Sequence, residues 1–180
     1  MKYFTLDWYH AVDENFDRQQ AIYQQYLRHL EEMQGALPTD VLALARLKGV
    51  EDALVVKVRH DRTRRVLSLT LRAGDNVIGY YDLILSYRSA DITPEDEQML
   101  ALVARTTRDS RRHKSDLAFH ELDKAEDGRI EHSILFHPGR AFTIRCDALV
   151  WVRLPRPGRS FPRSFDRFVG GPVTRHRSPR

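Results

Sequence analysis

The period of the hydrophobic pattern changes at Ala53, and this switch constrains the fold more than any other feature of the chain. Before it, Phe16, Tyr23, Tyr26, Leu27, Leu30 and Met33 recur at spacings of three, four and seven, with glutamines, arginine and glutamates between them. That spacing predicts an amphipathic helix of about five turns. Gly35 is placed to stop it in a left-handed cap, and Pro38-Thr39-Asp40 to start a shorter helix carrying Val41, Leu42, Leu44 and Leu47. After Ala53 the period is two. Leu54, Val56 and Val58 alternate with Val55, Lys57 and Arg59, and Val66 to Arg72 alternates in the same way beyond a charged turn. Ala73 to Asn76 reads as a second turn and Val77 to Tyr87 as a third strand.

Thr93-Pro94-Glu95-Asp96 then has the form of a helix start, with Thr93 as N-cap, and the helix fades into an aperiodic, arginine-rich loop from Arg105 to Arg112. Strands resume at Leu117 to Lys124, Ile130 to His137 and Ala141 to Val152, joined through Asp127-Gly128 and Pro138-Gly139 read as two-residue turns. The expected fold is α+β: an N-terminal helix pair packed on one face of an antiparallel sheet of about six strands, with one inserted helix. Residues 1–154 form the single domain of this reading. Residues 155–180, with five prolines, no period and arginine throughout, are predicted to be a disordered basic tail.

Composition fits one soluble domain, since 42% of the 180 residues are hydrophobic and 30% charged. No run approaches the ~18 apolar residues of a membrane span, and the opening lacks a signal-peptide pattern, so the expected location is the cytoplasm. Charge is segregated. Arg153 to Arg180 holds eight arginines against Asp166, and subtracting that +7 from the whole-chain +4 leaves the rest of the chain at −3. Basicity that would suggest a nucleic-acid partner therefore belongs to the tail, where Arg159, Phe161, Arg163, Phe165, Arg167 and Phe168 interleave.

No motif for chemistry emerges. Of the eight histidines, His120, His132 and His137 lie on neighbouring strands. With two-residue turns, His120 faces Leu135 and Asp123 faces His132, which sends His120 and His132 to opposite sheet faces and argues against a shared metal. Cys146, the single cysteine, alternates with Phe142 and Ile144 on a face expected to be buried, where its thiolate is disfavoured. No phosphate-binding glycine loop and no G-x-S-x-G elbow is present. Glu51-Asp52 and Glu95-Asp96-Glu97 are read as a strand approach and as helix-dipole complements. No catalytic, metal-binding or cofactor-binding residue is assigned.

The opening Met1-Lys2-Tyr3-Phe4-Thr5-Leu6-Asp7-Trp8-Tyr9, with Tyr23 and Tyr26, Leu37-Pro38, Val50-Glu51-Asp52-Ala53, Tyr81-Asp82-Leu83 and His132-Ser133-Ile134-Leu135-Phe136, resembles a family of uncharacterised bacterial proteins. The resemblance covers residues 1–152 and implies a bacterial, cytosolic α+β domain with no assigned activity. The function expected is a non-enzymatic protein-binding module of the immunity- or accessory-protein kind. The alternatives are weak nucleic-acid association through the tail and an enzyme without a recognisable motif.

Overall fold

The computed structural model describes residues 1–10, 16–75, 79–108, 116–137 and 139–156. Among these, four helices and seven antiparallel strands form an α+β fold. Helices α1 (Leu6–His10), α2 (Phe16–Glu32) and α3 (Thr39–Ala45) come first. Between α2 and α3, Gly35 takes φ 86°, the left-handed stop the sequence calls for. The apolar stripe of α2 sinks Tyr26 and Leu30 into the core, and the Tyr26 hydroxyl accepts the backbone N–H of Leu122 at 2.8 Å. Helix α3 buries Val41, Leu42 and Leu44.

Strands β1 (Ala53–Asp61), β2 (Val66–Asp75) and β3 (Gly79–Arg88) form a meander. Leu67, Leu69, Leu71 and Ala73 of β2 are buried opposite Tyr87, Leu85, Leu83 and Tyr81 of β3. In β1 the simple alternation fails. A β-bulge between Val55 and Lys57 buries Ala53, Leu54 and Val55 in succession, and it turns Val58 and His60 inward opposite Leu69 and Leu67. Ala73, Gly74 and Asp75, read as a turn, belong to β2. Helix α4 (Pro94–Arg108) opens as predicted, with Thr93 Oγ1 accepting the Asp96 N–H at 3.1 Å, and buries Leu100 and Val103 against β1. Arg105 to Arg108 continue the helix instead of starting the loop. Lost apolar periodicity marks the end of a buried stripe and not the end of the helix that carries it, so it did not mark the end of α4.

Strands β4 (Asp116–Lys124), β5 (Ile130–Phe136), β6 (Arg140–Cys146) and β7 (Ala148–Pro155) complete the sheet in the order β6-β5-β4-β1-β2-β3-β7. The run expected as one strand from Ala141 to Val152 is two, making seven strands rather than six. The cause is local. Ala148 is the register partner of Arg88, and the Asp147 N–H also reaches the Arg88 carbonyl at 3.0 Å, so two residues oppose one and the strand bends. Its first half pairs with β5 and its second with β3, the strands nearest the two ends of the order. The sheet therefore curls until its ends meet at Asp147, and Asp91 seals the corner through reciprocal backbone bonds with Arg145.

Two loops overturn the predicted register. Ala125 N–H bonds to the Arg129 carbonyl at 2.9 Å, leaving a three-residue loop, Glu126-Asp127-Gly128, with Gly128 at φ 84°. Phe136 pairs with Arg140, and that loop also spans three residues and ends on a left-handed glycine, Gly139 at φ 95°. Three-residue hairpin loops place their left-handed residue last, whereas a two-residue type I′ turn needs two. Each extra residue moves the pairing by one, so Leu122, not Asp123, faces His132, and His120 faces Ile134. His132 likewise faces Ile144 instead of Arg145.

The predicted boundary at Leu154 falls within β7, which runs to Pro155 and is followed by Arg156, paired with the sheet. Residues 157–180 of the predicted tail lie outside the described residues. Among the described residues no helix is long and apolar enough to cross a membrane.

Candidate functional site

The shifted register puts His120 and His132 on the same face, contrary to expectation. His120 Nδ1 lies 3.1 Å from His132 Nε2, and the other nitrogen of His132 meets the Tyr87 hydroxyl at 2.8 Å. His132 and Tyr87 are fully buried, while His120 lines a small cavity of about 40 Å³ with Tyr23, Arg46, Lys48 and Glu51. Burial pushes the His120 pKa down to about 4, and burial together with the neighbouring His120 holds His132 well below the usual imidazole range. Burial also raises the Tyr87 phenol. All three groups are neutral at pH 7 and arranged as a chain of hydrogen bonds. Among the described residues no cluster of three or more His, Cys, Asp or Glu side chains is placed to hold a metal ion. The third strand-region histidine, His137, accepts or donates through Nδ1 to the Tyr9 hydroxyl and pins α1 to the end of β5.

Cys146 is fully buried with Phe142 and Ile144, as its alternation indicates, and burial pushes its thiol up to about 12. The acidic opening of α4 does more than complement the helix dipole. Glu97 accepts from Arg62 at 2.9 Å and stands 3.1 Å from His60 Nδ1, in a cleft of about 300 Å³ between α4 and β1.

Two carboxylates that sequence reasoning passed over turn out to organise the molecule. Glu121, 6% exposed, accepts the backbone N–H groups of Lys2, Tyr3 and Phe4 at 2.7, 2.6 and 2.5 Å. That grip places Phe4 and Trp8 in an aromatic cluster with Tyr26 and Phe119. Asp82, 5% exposed, takes Arg72 on one oxygen and Arg156 on the other. Burial alone would raise its carboxyl, but the hydrogen bonds and charges of the two arginines outweigh this and hold it below the ordinary range. For Asp82 the available signal was a mid-strand acid between the hydrophobic Tyr81 and Leu83, whereas Glu121, between His120 and Leu122, offered only its mid-strand position.

Asp82 marks the outward face of β1, β2, β3 and β7, opposite the leucines of the core. Register aligns this face in rows: Arg72, Asp82 and Leu154; Lys57, Thr70, Ile84 and Val152; Arg59, Ser68, Ser86 and Val150. Outward positions of a half-buried antiparallel sheet are ordinarily polar; those of β1, β2 and β3 mostly are, and their apolar exceptions Leu54, Val66 and Ile84 are buried or half-buried. Those of β7 are not. Val150, Val152 and Leu154 stand 42%, 48% and 45% exposed on an edge strand.

The chain matches no protein-family model, no curated protein and no solved structure.

Proposed function

We propose that this protein is a non-enzymatic protein-binding module, bacterial and cytoplasmic as the resemblance over residues 1–152 implies, whose docking surface is the outward side of β7. The observation that carries this reading is the aliphatic row Val150, Val152 and Leu154, exposed on the edge strand beside Ser86, half-buried Ile84 and Asp82 of β3, with Lys57, Arg59, Ser68 and Thr70 of β1 and β2 beyond them. Contiguous apolar surface at a sheet edge is a liability in a monomer and is retained where a partner covers it. In this reading the helix pair covers the opposite face, supported at β7 by the Trp151 indole N–H donating to the Asp40 carbonyl of α3 at 2.8 Å and at β4 by His29 of α2 meeting Asp123 at 2.9 Å. The buried histidines and the high thiol pKa of Cys146 support structural roles for the groups otherwise most suited to chemistry. The reading is tested by placing a photo-crosslinking amino acid at Val152 or, as control, at exposed Lys124 in the intact chain. A discrete protein adduct specific to position 152 is expected, and equal labelling from both positions would remove the surface from consideration.

A further inference from the structure

The same surface offers more than apolar contact, because β7 has an open hydrogen-bonding edge. Arg156 N–H donates to the Tyr80 carbonyl at 2.9 Å, which continues the β3–β7 ladder and directs the even-numbered residues of β7 toward β3. The N–H groups of Leu149, Trp151 and Arg153 consequently point away from β3, to the side on which the strand order places no neighbour among the described residues. Pro155, with no N–H, ends this open stretch. Beside the open edge stands the aliphatic row, and beyond it on the same face the exposed cations Lys57, Arg59 and Arg88. Counting the two arginines on Asp82, the face carries five cations against Asp61 and Asp82, although residues 1–152 as a whole carry −3.

Resting on the protein-binding reading above, we propose that β7 takes an extended segment of an acidic protein as an added antiparallel or parallel strand. Main-chain bonds to Leu149, Trp151 and Arg153 supply the pairing. Alternate aliphatic side chains of the segment cover Val150, Val152 and Leu154, and its carboxylates face the basic rows. Three saturated side chains in a row favour a protein over a nucleic acid, since bases are received by aromatic stacking platforms.

The test uses the full chain and three fluorescent octapeptides: alternating valine and glutamate, the same with lysine for glutamate, and the glutamate peptide with two central prolines. The valine-glutamate peptide is expected to bind with an affinity that falls as salt rises, and the other two at least about tenfold more weakly. The charge-neutral double variant Val152→Ser, Leu154→Ser is expected to lose about tenfold for the same peptide while keeping its unfolding midpoint. Equal binding of the proline peptide would overturn strand addition and point to the arginine-rich residues 157–180 as a simple polycation. A dimer in sedimentation that the double variant abolishes, without peptide binding, would make the occupant a second copy. Binding of a single-stranded oligonucleotide with the same sensitivity to the double variant would replace the acidic protein with nucleic acid. A position-152 adduct without binding of any peptide would sink strand addition and leave the protein-binding reading standing.

Discussion

A single carboxylate, Asp82, ties the end of the described chain to the middle of the sheet, and its loss is felt from both sides. Asp82→Ala removes the buried carboxylate held by Arg72, itself only 15% exposed, and is expected to cost ~3 kcal/mol in urea unfolding, whereas Arg156→Ala, about half exposed, costs ~1 kcal/mol. Equal costs would mean that the two arginines share the carboxylate evenly despite their different exposure. The histidine pair predicts a pH effect of definite sign. Because the folded His120 pKa lies near 4, below the ordinary ~6.5, the unfolded chain binds more protons between those values. The stabilisation is complete above about pH 6.5 and is lost as pH falls toward 4, on the order of 3 kcal/mol for this group. His120→Gln should flatten that slope relative to the parent, and the His120 ring proton resonances should show no titration near pH 6.5. A midpoint at 6.5 would place the ring in water.

At the scale of elements, what the sequence made legible was periodicity, and what it concealed was parity. The alternation of Leu67, Leu69 and Leu71, the stripe of α2 and the Thr93 cap were all readable because each is a local pattern with a local cause. The faces of His120 and His132 depended on whether the Asp127-Gly128 loop holds two residues or three, a choice made by the backbone of Ala125 and Arg129 that leaves no trace in hydrophobicity. The bend at Asp147 was hidden for a similar reason: the apolar residues continue across it while the pairing partner changes from β5 to β3. Alternation sets Asp82 on the face opposite Leu83 and Leu85 but says nothing of a partner, and only its register with Arg72 reveals the pair. The β2–β3 turn offers a sharp check of the backbone. Gly74 has φ 92°, and a Cβ there would lie 2.1 Å from the Gly79 carbonyl oxygen, so Gly74→Ala should destabilise by about 2 kcal/mol or more. A neutral result in thermal unfolding would show that this end of the hairpin readily rearranges.

For the whole molecule, the question is how much chain the fold needs. Truncation after Arg156 keeps the Asp82 pair and β7 entire, and it is expected to unfold cooperatively at the full-length midpoint. Truncation after Leu154 removes Pro155 and Arg156 and should lower stability by ~1 kcal/mol while leaving one transition. Calorimetry of the two truncated chains beside the full chain checks this, and loss of the transition after Arg156 would place residues 157–180 in the core. Completion of the sheet by its last two strands has a further consequence for how the protein comes to exist. Strands β3 and β5 are both completed by one late segment, so the helices and the first five strands can gather while two rows of backbone groups stay open to any passing chain. The interval before Arg140–Pro155 docks is then the vulnerable period in the life of the polypeptide, and the native state keeps both rows covered only while β6 holds β5 and β7 holds β3.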